Sequence, residues 1–184
     1  MKTIILIFIL VSSFSYGNTP IHRPIPHDVT YYEIIKIHPE INRKQAQIIS
    51  KHIVIASKKY NLDKHLLVSI FAQESMFDNS VRNCNTGIDK DNNPKKVCFD
   101  FGISQINYLT AKAFKFDLSK IRKDIGYAIE CGALVLKDIK NRYAKKEPKD
   151  WWTRYNSDSK YWRNHYNKLV CRFYKGKETC KNLK

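Results

Sequence analysis

Leu66-Leu67-Val68-Ser69-Ile70-Phe71-Ala72-Gln73-Glu74-Ser75 decides how this chain folds and where its chemistry lies. The stretch predicts an amphipathic helix, and Asp63 supplies an N-cap just before it. Leu66 and Ile70 stand eight and four residues before Glu74, so the carboxylate continues their apolar stripe. A carboxylate that ends a core-facing stripe is partly desolvated. Desolvation disfavours the charged form and raises the pKa. A carboxylic acid that keeps its proton near neutral pH is suited to general-acid work.

Working outward, Asn42 caps a second helix that runs to about Tyr60, with Ala46, Ile49, Ile53, Ala56 and Tyr60 along one face. Asn61-Leu62-Asp63 separates the two helices, and Tyr31 to Ile37 forms a short helix before them. Residues 78–100 read as a polar loop, and Gly102 to Asn107 as a short strand or turn. A further helix starts near Asp124 and carries Ile125, Ala128, Ile129, Gly132, Ala133, Leu136, Ile139 and Tyr143 on one stripe. Pro148 marks a break before Trp151. The last helix starts at 157–159, with Trp162, Tyr166 and Leu169 inward. No internal repeat or low-complexity tract is present. The expected fold is mainly α within an α+β class, a helical domain with a small strand or turn element lining a groove.

The chain of 184 residues is long enough for one domain with a full core. Residues 1–17 read as a signal peptide: Lys2 is the positive start, Ile4 to Val11 the apolar run, and Ser15-Tyr16-Gly17 the small-residue cleavage site. The run is too short to span a bilayer comfortably. Residues 18–41 form an extended leader and short helix, 42–170 the main domain and 171–184 a C-terminal tail. The expected product is exported, periplasmic or extracellular, monomeric and without a stable membrane span. Five cysteines suit an oxidising compartment. A Cys84–Cys98 bridge closes a loop of about 15 residues and contributes roughly 3 kcal/mol in the chain-entropy account. Cys171 and Cys180 can close the tail in the same way, leaving Cys131 as a buried thiol. Spacing alone leaves other pairings open. No Cys-x-x-Cys and no paired histidines occur, so neither metal nor cofactor is expected.

The formal net charge of +16 is spread along the sequence. Such a surface attracts polyanions without selecting one. Nucleic acid is not the expected partner, because the chain has no zinc-finger spacing, no RNA-recognition aromatic motif and no basic recognition helix. An anionic cell-wall polymer fits an exported chain better.

Three separated pieces carry chemistry. They are Glu74-Ser75, then Gly102-Ile103-Ser104-Gln105 followed by Ile106-Asn107, then Tyr155-Asn156. In this order and at these separations they resemble the soluble lytic transglycosylase family, which shares the lysozyme-like fold with goose-type lysozyme. The Gln105-Ile106-Asn107 ending is most similar to the small secreted members that open the wall for secretion, conjugation or pilus machines. The resemblance covers about residues 45–170.

The resemblance implies a peptidoglycan-cleaving enzyme that breaks the MurNAc-GlcNAc β-1,4 bond. Glu74 would be general acid and then base, and a 1,6-anhydromuramoyl end would form without water. Ser75 would bond substrate or hold a neighbouring group. Gly102, lacking Cβ, would let the backbone approach the sugar. Gln105, Asn107 and Asn156 would offer amides to hydroxyl or N-acetyl groups. Tyr155 would orient the Glu74 carboxyl. Asp100-x-Gly102-x-x-Gln105-Ile106-Asn107 also resembles the segment of chicken-type lysozymes that holds a second catalytic carboxylate. A hydrolase using Asp100 is therefore the alternative. A third reading is an inactive wall-binding or docking module. The Tyr-Asn motif departs from the family pattern, since Ser157-Asp158 follows where a small residue and Gly are usual. Trp151 and Trp152 could stack on sugars or pack the domain's edge, whereas Phe77 and Phe101 read as core.

Overall fold

Asn42 and Asp63 start the two helices around which the domain is built. The Asn42 side chain accepts hydrogen bonds from the backbone N–H groups of Lys44 and Gln45, and Asp63 accepts one from His65. These groups satisfy donors that a helix start leaves unpaired. The computed structural model describes residues 28–88, 94–174 and 180. The expected signal peptide and most of the leader lie outside the described residues.

In chain order the helices are α1 (Val29–Ile37), α2 (Arg43–Tyr60), α3 (Lys64–Ser75), α4 (Tyr108–Phe114), α5 (Leu118–Lys123), α6 (Ile125–Tyr143) and α7 (Lys160–Cys171). A 3-10 turn over Trp151–Tyr155 precedes α7. Helix α3 lies at the centre, packed by α1, α2 and α7. Its residues Leu66 through Ala72 are all buried, the polar Ser69 included. Ser69 manages this by donating its hydroxyl to the His65 carbonyl at 2.7 Å. The expected stripe of α2 is in place, with Ala46, Ile49, Ile53 and Ala56 in the core. Helix α6 packs along α2, burying Ala128, Ile129, Ala133, Leu136 and Ile139. The fold is mainly α with one small sheet, in keeping with a lysozyme-like architecture.

Residues 78–100 do not form the irregular loop expected of them. They supply β1 (Arg82–Ile88) and β2 (Pro94–Phe101), an antiparallel hairpin that β3 (Ile106–Asn107) joins in the order β1-β2-β3. The ladder pairs Cys84 with Cys98 after a bulge at Asn83/Cys84, and Cys84 is disulfide-bonded. Few apolar residues alternate in the sequence of either strand, and an antiparallel backbone ladder joins the two. Residues 89–93, between the strands, lie outside the described residues. Cys171 is bridged to Cys180 with the Cα atoms 5.5 Å apart, and Cys131 is a buried free thiol on α6.

Helix α7 departs from expectation at two residues: Leu169 is only half-buried, with Val170 in the core beside it, and Trp162 faces out. Trp162 is 54% exposed rather than inward, and Arg163 is buried instead. The Arg163 guanidinium reaches Glu147 at 3.1 Å and Asp150 at 3.7 Å, so its charge is paired on the inner side. Trp162 rests edge-on against Tyr161 and His165. Trp152 is buried and lies 6.3 Å from the Tyr166 ring, while Trp151 packs against the core. Phe77 and Phe101 are core residues. Among the described residues no helix is long and apolar enough to cross a membrane, and no cluster of His, Cys, Asp or Glu could hold a metal ion.

Candidate active site

The last turn of α3 delivers Glu74 to the floor of a groove of about 810 Å³. Asn83, Asp100 and Asn107 line one wall, Gln105 stands beside them, and Arg154 to Asp158 form the opposite wall. Glu74, Gln105 to Asn107 at the end of the Gly102–Asn107 segment, and the Tyr155-Asn156 pair therefore converge on one cavity.

Helix α3 ends sharply one residue beyond Glu74, at Ser75. Met76 and Phe77 take φ of +51° and +66°, in the left-handed region that non-glycine residues seldom occupy. Full burial of the Phe77 ring helps hold this strained turn in place. Burial, with a smaller contribution from the negative charge of Asp100, pushes the Glu74 carboxyl up to about 7 from its ordinary 4.5. A hydrogen bond from the Tyr166 hydroxyl acts in the opposite direction. That bond is made to Oε1, which leaves Oε2 for the proton.

Tyr166 is the residue that the sequence reading missed. It comes from α7 and takes the position against the carboxyl that was expected of Tyr155. The Tyr155 hydroxyl donates instead to the Ser104 carbonyl at 2.8 Å. Burial first, and then the nearby Glu74 charge, raises both phenols well above 10, so both stay protonated donors. The inward placement of Tyr166 on the α7 stripe was the available signal; its reach to Glu74 was not readable from spacing.

The Gly102–Gln105 turn is tied down from several sides. The Ser75 hydroxyl donates to the Ile103 carbonyl at 2.9 Å, the Ile103 N–H donates to Asn79 Oδ1 at 2.9 Å, and the Ser104 hydroxyl donates to the Ala128 carbonyl at 2.8 Å. Ser75 is thus buried and holds a neighbouring segment; it does not line the groove. Gly102 is likewise buried and does not line the groove, so its missing Cβ serves a different purpose from approach to a sugar. Its φ is +75°, and a Cβ would lie 2.9 Å from Asn79 Oδ1 and 3.1 Å from Ile121 Cγ2. Only glycine combines that conformation with that packing. On α6, Gly132 leaves room in the same way: a Cβ there would lie 2.6 Å from Ser104 Cβ and 3.0 Å from Tyr155 Oη.

This packing sets the hydrogen-bonding character of the groove. Gln105 has φ of +44°, and its Nε2 donates to the carbonyls of Gly102 at 2.8 Å and Val81 at 3.1 Å. Both amide protons are spent, so Oε1, an acceptor, is what the Gln105 amide has left to offer the groove. Across the sheet, Asn83, Asp100 and Asn107 occupy adjacent positions of three paired strands. Asn83 donates to Asp100 Oδ2 at 3.0 Å, and Asn107 donates to Oδ1 at 2.8 Å. Asn107 also caps α4 through Leu109 N–H at 2.9 Å. Asn156 is exposed on the opposite wall.

The wall that carries Tyr155 and Asn156 is braced by charge. Arg154 donates to both Glu147 oxygens, at 2.8 and 2.5 Å, and to Asp158 at 2.8 Å, with its guanidinium 3.9 Å from the Tyr143 ring centroid. The Arg154 bonds hold the Glu147 carboxyl down at about 2. Asp158, which stands where the motif usually carries glycine, is part of this brace.

A helical domain with a small antiparallel sheet, holding one near-neutral carboxyl in a polar groove between sheet and loop, belongs with the lysozyme-like proteins. The family model "Transglycosylase SLT domain" matches residues 51–160, more than half of the sequence, and the chain is a member of that family. Membership carries peptidoglycan as the substrate and lytic transglycosylase activity in general terms, and it directs the protein to the cell wall. No curated protein and no solved structure matches the chain. Tyr166 lies beyond the matched segment.

Proposed function

We propose that the protein is a lytic transglycosylase that breaks the MurNAc-GlcNAc β-1,4 bond with Glu74 as its one acid/base group. The observation that carries this reading is a carboxyl at about 7, bonded by Tyr166, in a groove lined by amides. In the first step Glu74 Oε2 gives its proton to the glycosidic oxygen as the bond to C1 breaks. The acetamido oxygen of the muramic residue supports the positive charge that develops at C1. Glu74, now a carboxylate, then takes the proton of the C6 hydroxyl as that oxygen attacks C1. The carboxyl is restored, the ring closes to a 1,6-anhydro end, and no water is consumed. Asn107, Gln105 and Asn156 are the proposed contacts to sugar hydroxyl and acetamido groups. Ser75, Gly102 and Tyr155 act through packing, by fixing the turn that carries Gln105.

A hydrolase reading keeps one observation in its favour: Asp100 shares the groove with Glu74 and raises its pKa. Against a nucleophilic role, both Asp100 oxygens already accept bonds from sheet amides. Mass spectrometry of products from purified sacculi decides. Anhydro ends are expected, and reducing ends would transfer the role to a hydrolase. Glu74→Gln is expected to abolish product release while wall binding persists. A fully active variant would remove Glu74 from the mechanism, and a wild-type protein that binds but releases nothing would make the domain a docking module. By resemblance to the small secreted members, the proposed setting is local opening of the wall for a secretion, conjugation or pilus machine, with export through residues 1–17.

A further inference from the structure

Helix α2 holds no acidic residue, although it carries Arg43, Lys44, Lys51, Lys58 and Lys59. Lys44, Ile48, Lys51, Ile55 and Lys58 recur three or four positions apart, so they form one straight row along the helix. At 1.5 Å per residue the row is about 21 Å long. All five residues are exposed, on the side away from Ala46, Ile49, Ile53 and Ala56. Ile48 is 40% and Ile55 50% exposed. Among the described residues Lys44, Lys51 and Lys58 have no acid partner; Lys59, beside the row, is paired with Glu130. At Ile55 the row meets a hollow of about 300 Å³ between α2 and α6, to which α5 adds Lys120. The acids of that hollow are engaged within the protein: Glu130 accepts from Lys59 and Tyr60, and Asp124 caps α6.

Lysines alone would suit any polyanion. The isoleucines between them add a condition: the partner must offer negative charge with an apolar layer directly beneath it. A bilayer with anionic headgroups has that order. Lysine stems lie along the acyl boundary there while their ammonium groups stay among the phosphates. A wall glycan has no apolar layer to receive the isoleucines. A partner helix also fits poorly, because a coiled-coil seam needs apolar residues at two positions of each heptad. With Ile48 and Ile55 at one position, the other falls to Lys51 and Lys58 or to His52 and Lys59.

We propose that the outer face of α2 seats the protein on an anionic lipid surface, with Ile48 and Ile55 against the acyl boundary and Lys44, Lys51 and Lys58 on the phosphates. None of these residues lines the groove that holds Glu74, so lipid contact and groove use different side chains.

The test is co-sedimentation of the exported protein with vesicles of phosphatidylcholine alone and of phosphatidylcholine mixed with phosphatidylglycerol, using variants first shown to melt with wild type. Wild type is expected to bind the anionic vesicles at least about tenfold more tightly, and high salt should remove the advantage. Replacing Lys44, Lys51 and Lys58 together by glutamine should weaken binding by roughly fivefold per lysine. Ile48→Ser combined with Ile55→Ser keeps every charge and should still weaken it by roughly tenfold. Replacing Lys145, Lys146 and Lys149 by glutamine removes the same charge elsewhere and should leave binding within about threefold of wild type. Equal binding to the two kinds of vesicle would overturn the proposal. Binding to neither would overturn it as well and leave the face to an acidic protein. Full binding by the double serine variant would reduce the face to a bare polyanion surface. An equal loss in the two lysine triples would show that net charge, not this face, makes the contact, and would also overturn the proposal.

Discussion

Replacing Glu74 by glutamine should stabilise the protein, but only above the pH at which the free carboxyl ionises. The folded chain holds the Glu74 proton up to about pH 7, whereas the unfolded chain releases it near 4.5. Between these values the folded state binds more protons, so stability falls as pH rises through the window. The contribution is fully present below pH 4.5 and is lost above about 7. The gap corresponds to about 3 kcal/mol, and water in the half-open groove reduces it to about 2 kcal/mol. Glutamine keeps the shape and an acceptor for Tyr166 but does not titrate. At pH 4 the two proteins should melt together. At pH 8 the variant should melt about 4–8 °C higher, the conversion for a chain of this size. Thermal melts followed by circular dichroism at pH 4, 5.5, 7 and 8 measure the difference. A gap that stays constant from pH 4 to 8 would refute the claim that burial raises this carboxyl.

Tyr166→Phe removes the bond that draws Glu74 downward, so the alkaline limb of the pH–activity profile should move up and the rate should drop about tenfold; an unmoved limb in turbidity assays on sacculi would refute it. Gly132→Ala drives a methyl into Ser104 Cβ and Phe71 Cε1 at 2.6 and 2.9 Å. It should cost about 1–3 kcal/mol in urea denaturation and lower kcat, because the turn bearing Gln105 moves. Met76→Gly relieves the positive φ at a 38% exposed site and should raise stability by about 1 kcal/mol, read as a higher urea midpoint.

Helices α2, α3 and α6 were legible because each combines a long apolar stripe with a capping side chain, Asn42, Asp63 and Asp124, at its start. The short α4 and α5 span two turns or fewer, too little for a period to show. The β1–β2 hairpin was not legible because apolar and polar residues alternate only weakly over Arg82 to Ile88 and Pro94 to Phe101. The groove residues were legible as a set, since Glu74, Asp100, Gln105, Asn107 and Asn156 all border one cavity. Their division of labour was less so. Ser75 and Gly102 have chemistry that suits either ligand contact or packing, and only the neighbours Ile103, Asn79 and Ile121 decide for packing. Likewise Tyr155 and Tyr166 are interchangeable as phenols in a sequence; the positions of the Ser104 carbonyl and the Glu74 carboxyl separate them.

Cys131 is the odd cysteine among five, 2% exposed on α6 with no disulfide partner. Burial pushes its thiol up to about 11, so scarcely any of it is thiolate at neutral pH. Disulfide shuffling proceeds through a thiolate that can reach a sulfur, and Cys131 offers neither the charge nor the access. The helical core thereby works as a protecting group: once α6 is packed, the surplus nucleophile is withdrawn and the remaining sulfurs can oxidise without a competitor.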